Sequence, residues 1–149
     1  MPTRGTPKRR RRSSVVVQRA ARGAPSSARL RAWALAAAPA GAEITLRVAG
    51  AAEARRLNRE FRGRDYATNV LSFPYARGRG DVVLCHPVVR REARAQGKAL
   101  AAHYAHLVVH GVLHLRGMRH ARARDARRME RREIALLARF GVADPYTVE

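Results

Sequence analysis

Ala42-Glu-Ile-Thr-Leu-Arg-Val-Ala-Gly-Ala-Ala-Glu-Ala-Arg-Arg-Leu-Asn-Arg-Glu-Phe61 changes its hydrophobic period midway. Through residues 42–48, Ile44, Leu46 and Val48 alternate with Glu43, Thr45 and Arg47, the two-residue period of a half-buried strand. From 51 to 61 the apolar positions Ala54, Leu57 and Phe61 recur at helical spacing, which predicts a helix with one buried face. A strand that passes so quickly into a helix requires a domain in which both kinds of element share one core.

Working outward, residues 14–18 have the β-branched content of a short strand, and Ser26 or Ser27 can cap an alanine-rich helix running to about 38. On the other side, 70–73 and 81–85 read as short strands separated by a proline- and glycine-rich turn over 74–80. Pro87 suits the first turn of a helix reaching 95 or 96. After Gly97 a longer helix is predicted over 99–116, with Leu100, Tyr104, Leu107, Val108 and Leu113 on its apolar side and Gly117 as its end. A last helix over 123–140 carries Ala126, Met129, Leu136, Leu137 and Phe140 on one stripe. The residues point to an α/β or α+β domain with a small sheet over 14–149, preceded by a disordered basic arm over 1–13.

The chain has 149 residues, 46% of them hydrophobic and 28% charged, a balance that suits a packed core rather than a disordered chain. Its formal charge of +20 makes a polyanion the first partner to consider. Almost all of that charge is arginine, which grips phosphate with two donors at once; codon bias toward arginine and alanine produces the same composition. Cys85 is the only cysteine, so a disulfide within the chain and a multi-cysteine zinc site are both excluded. The apolar run after the basic segment, Val15 to Val17, is far too short for a signal-peptide core, and no stretch approaches the ~20 apolar residues that cross a bilayer. A cytoplasmic protein is expected.

The segment His110-Gly-Val-Leu-His114-Leu-Arg-Gly117-Met-Arg-His120 concentrates the chemistry. Histidines four apart on a helix project from one face, so both imidazoles can reach one ion at ~2.0–2.1 Å. His120 lies on the wrong side of a continuing helix, but Gly117 can adopt a left-handed conformation and turn the chain back toward the pair. Three histidine nitrogens would hold one Zn2+ ion per chain and leave a fourth position open, as in a catalytic zinc site. The spacing matches the HExxHxxGxxH frame of metzincin proteases except that Gly111 stands where those enzymes keep their glutamate base, so peptidase chemistry is disfavoured. His103 and His106 share helical spacing with His110 but lead to no further ligand, and Cys85 and His86 are read as structural.

With these residues in place, the chain resembles the YbeY family of metal-dependent endoribonucleases, whose signature is HGxLHLxGxDH. His110, Gly111, Leu113, His114, Leu115, Gly117 and His120 match it. Leu57-Asn58-Arg59-Glu60-Phe61-Arg62 and Thr68-Asn69-Val70-Leu71-Ser72-Phe73-Pro74 resemble the family's second signature, and Gly80, Asp81 and Cys85 its central strand. Met129, Glu130, Glu133 and then Asp144-Pro145-Tyr146 resemble its closing helix and tail. The likeness spans roughly residues 42–146. It implies a single α+β domain with a small mixed sheet packed with about five helices, a zinc held by His110, His114 and His120, single-strand endoribonuclease activity in maturation of the 16S rRNA 3′ end, and a role in ribosome quality control with the small subunit as partner. It also implies that Arg62, with His114 a candidate catalytic residue, faces the RNA phosphate near the metal.

One departure is chemical: the signature's aspartate before the third histidine is Arg119 here. Glu133, on the apolar stripe of the last helix, is a candidate to compensate, or else a rim carboxylate paired with an arginine. The 74–80 turn also looks shorter than is common in the family. Two other readings follow from the same residues. One is a ribosome-assembly or rRNA-binding factor with a structural zinc and no cleavage; the other is a zinc hydrolase acting on a substrate other than nucleic acid, which the charge and Gly111 disfavour.

Overall fold

A computed structural model describes residues 12–118 and 122–147. The elements run β1 (Ser14–Arg19), α1 (Ser27–Ala37), β2 (Glu43–Ala49), α2 (Ala51–Arg62), β3 (Val70–Ala76), β4 (Arg79–Cys85), α3 (His86–Ala95), α4 (Leu100–Leu115) and α5 (Ala123–Ala138). The four strands make one sheet in the order β1-β2-β4-β3. β2 pairs parallel with both β1 and β4, while β3 and β4 form an antiparallel hairpin. This is the α+β domain with a small mixed sheet that the family resemblance implies. Among the described residues no helix is long and apolar enough to cross a membrane.

The alternation in β2 sends Ile44, Leu46 and Val48 into the core on one face of the sheet, where they meet α1 and α4. α2 follows with only Gly50 between and covers part of the opposite face through Ala54 and Asn58. Phe61, predicted to share that buried face, is instead 64% exposed. It packs edge-on against Phe73 of β3 at 5.3 Å between ring centroids, because the last turn of α2 lies over the rim of the sheet rather than its centre.

The turn expected over 74–80 is confined to Arg77 and Gly78, since β3 continues to Ala76 and β4 begins at Arg79. Pro74 is tolerated inside β3 because this is an edge strand, and the register shifts between Pro74 and Ala76, leaving Tyr75 exposed.

α4 is the spine of the domain, with Tyr104, Val108, Val112 and Leu113 fully buried. Its approach to the sheet depends on Gly111. A Cβ there would stand 2.7 Å from Val82 Cγ1 and 3.2 Å from Ser72 Oγ, and the Ser72 hydroxyl donates to the Gly111 carbonyl at 3.0 Å. No larger residue fits without moving the helix, so the position that carries a glutamate in the metzincin frame is used here for packing. Gly117, at φ +88°, closes α4: its N–H bonds to the His114 carbonyl and the Met118 N–H to the Leu113 carbonyl, the paired bonds of a Schellman ending. α5 packs on α4 through Met129, Leu136 and Leu137, whereas Phe140 lies past its end and is part-exposed.

Candidate metal centre

His110 and His114 sit one turn apart on α4, at the mouth of a cleft of about 900 Å³ between the C-terminal half of that helix and β3. Their Nε2 atoms are 3.1 Å apart. That separation suits a shared proton, and it equally suits two nitrogens bound to one ion, which at ~2.0–2.1 Å and a tetrahedral angle stand roughly 3.3 Å from each other.

The other nitrogen of His110 settles its tautomer. Nδ1 lies 2.5 Å from Glu133 Oε1, and the Glu133 side chain is completely buried. Burial by itself would push this carboxyl up, but hydrogen bonds from His106, His110 and Tyr146 outweigh it and hold it at about 2. An ionised carboxylate can only accept, so His110 Nδ1 carries a proton, and Nε2, on the His114 side, is the nitrogen placed to bind a metal. This carboxylate–imidazole arrangement is the one that orients metal-binding histidines and strengthens them as ligands. Burial, and then the hydrogen bond to Glu133, push the Tyr146 hydroxyl well above its ordinary range, so it remains a donor.

Glu133 is therefore not a rim carboxylate paired with an arginine. The sequence did contain its signal, a charged residue on the stripe shared by Met129, Leu136 and Leu137, but its partners come from α4 and the C-terminal segment. His106 likewise belongs to the network, donating to Glu133 at 3.2 Å. His103 is buried at 4% exposure and lies 2.9 Å from Glu92, which also accepts from Asn69. His86, read as structural, is buried with Nδ1 2.5 Å from the Tyr104 hydroxyl, and Cys85 is a buried free thiol.

His106, His110 and Glu133 could also hold a metal ion on proximity alone, since their candidate ligand atoms all lie within 4.8 Å of one another. Hydrogen bonding explains that proximity. Glu133 has no exposure and accepts from two imidazoles and a phenol, and of the three residues His110 alone lines the cleft. The pair His110 and His114 faces that cleft together. His120, the third expected ligand, and Arg119 beside it lie outside the described residues.

Arg62 lines the same cleft, at the end of α2, with Nη2 donating to the Ser72 carbonyl at 3.0 Å. Arg77 and Arg116 add two more cations to the walls. One recess thus combines a histidine pair backed by a buried carboxylate with guanidinium groups able to grip a phosphate from several sides.

Residues 17–141 match the family model described as Endoribonuclease YbeY. A protein of that name from Bordetella pertussis is 62% identical over 112 residues, covering 72% of this chain and 71% of the relative. Another, from Alkalilimnicola ehrlichii, is 50% identical over 149 residues, covering 91% and 89%. The solution structure of a Thermotoga maritima protein superposes with a TM-score of 0.57 at 19% identity, over 91% of this chain and all of that one, which is a likeness of fold. The chain therefore falls in the class of RNA-cleaving hydrolases. Within that class, the chain belongs to the endoribonuclease YbeY family.

Proposed function

We propose that this protein is a zinc-dependent, single-strand-specific endoribonuclease of rRNA processing that acts at the 3′ end of 16S rRNA on the small subunit and in ribosome quality control. The observation that carries the reading is the His110–His114 pair, 3.1 Å between Nε2 atoms, opening into an arginine-lined cleft. His110, His114 and His120 hold the zinc, with Glu133 fixing the His110 ring from behind. Residues 14–149 form the catalytic domain, and the basic arm over 1–13 adds loose phosphate contacts in the cytoplasm.

Bound zinc supplies Lewis-acid charge to a phosphoryl oxygen or to an attacking water. The chain's own residues do the positioning. Arg62 spends one donor on the Ser72 carbonyl, which holds its side chain across the edge of β3, and turns its remaining donors to the scissile phosphate. Charge that builds on that phosphate during cleavage meets the guanidinium already held in place, a contact that strengthens as the charge develops. A duplex presents its backbone on a rigid cylinder, whereas an unpaired strand can bend into the cleft; this supports single-strand specificity.

Cleavage of a single-stranded RNA by wild type, His114→Ala and Arg62→Glu, with zinc measured in each, tests the reading. Wild type cleaves. His114→Ala loses both zinc and cleavage, while Arg62→Glu keeps zinc and loses roughly 100- to 1,000-fold in rate. A wild type that holds its full zinc and binds rRNA without cutting it would instead support an assembly factor, the reading favoured by Arg119 at the family's aspartate position.

A further inference from the structure

The chain is only 5% aromatic, yet three of its aromatic residues gather at one place on the rim of the sheet. Phe61 is 64% exposed and Tyr75 73%, and Phe73, two residues before Tyr75 on β3, is edge-on to Phe61 and rooted in the small cluster of Leu71, Val83 and Leu57. The Tyr75 hydroxyl bonds to Asp81, the residue paired across the ladder from Phe73, so both rings stand on the same side of β3. Exposed rings held by a packed neighbour and a hydrogen bond lose little further entropy when a partner binds them.

The other side of β3 is the cleft. Val70, Ser72, Pro74 and Ala76, the alternate positions of the strand, line it. Arg62, next in sequence to Phe61, and Arg77, directly after Ala76, line it too. β3 is the edge strand, so its outer side is not covered by another strand. Cations and candidate metal ligands therefore lie on one side of a thin ridge, and a group of aromatic side chains on the other.

We propose that Phe61, Phe73 and Tyr75 form a stacking platform for unpaired RNA bases, with the sugar–phosphate backbone crossing the β3 ridge between them and the histidine cleft. This rests on the endoribonuclease reading and deepens it. Stacking is available to any base because every base has a π face, so the platform accepts varied sequence while rejecting paired bases, whose faces are already covered. The adjacent guanidinium groups match the charge of the backbone that joins those bases.

The test compares the zinc-loaded protein's affinity for two probes of equal length: a single-stranded 2′-O-methyl oligonucleotide and an abasic sugar–phosphate oligomer. Wild type should prefer the base-bearing probe by on the order of tenfold or more. Phe61→Leu and Tyr75→Leu should each erode that preference while leaving affinity for the abasic probe unchanged, and Phe61→Trp should preserve it. Equal affinity of wild type for both probes, or Leu variants that weaken both in parallel, overturns the platform while leaving cleavage intact. Failure to bind either probe removes the RNA reading and the platform together.

Discussion

Glu133 has been taken entirely out of water and remains ionised because three donors surround it, two imidazoles from α4 and the phenol of Tyr146. Replacing it by glutamine keeps the shape but leaves a neutral group that no longer dictates which His110 nitrogen carries the proton. Glu133→Gln should therefore weaken zinc binding roughly 10- to 100-fold, read by competition with a chromophoric chelator; an unchanged affinity would show that the carboxylate plays no part in metal binding. The histidine pair itself was legible, because a spacing of four on a helix is a local property. Glu133 was legible only as a candidate on the apolar stripe of α5, and the roles of His106 and Asn58 were not, since a buried polar group is explained by its partner, and the partners here lie on other elements: α4 for Glu133, and for Asn58 the Tyr66 carbonyl beyond the helix.

At the scale of elements, the cleft exists because α4 can lie directly on β3 and β4 at Gly111. Gly111→Ala places a methyl group 2.7 Å from Val82 Cγ1, and neither the sheet nor a helix buried on most of its sides can readily retreat. Thermal and chemical denaturation should show a loss of about 1–3 kcal/mol, the cost of overpacking; stability equal to wild type would mean that the contact is slack. Helix and strand order followed from hydrophobic period, and the Ser26 cap and the Gly117 ending followed from residue type. Strand position in the sheet did not. Pro74 reads as a strand terminator until β3 is known to be an edge, and Phe61 reads as core until α2 is known to overhang the rim.

Across the whole molecule, His86 ties the loop after β1 to α3 and α4: its ring lies under Gly23, where a Cβ would come within 2.7 Å of Nε2, and it bonds to Tyr104. Burial first, and then the nearby Arg90 and Arg19, lower its pKa below the ordinary 6.5. The unfolded chain therefore binds this proton at a pH where the fold refuses it. Stability is fully present above about 6.5, declines as pH falls below that, and levels off once the folded ring also protonates. Between about pH 7.5 and 5, the thermal midpoint of wild type should fall more than that of His86→Gln, whatever the variant's starting stability; parallel slopes would contradict this.

The histidine cleft sits at the junction of α4, β3 and the end of α2, inside a strongly basic chain. Its metal content separates the pair facing the cleft from the buried group around Glu133. Elemental analysis of purified wild type, His114→Ala and His106→Ala should find one zinc per chain in the first and third and almost none in the second. Zinc retained by His114→Ala but lost from His106→Ala would contradict the account and move the ion to the buried carboxylate.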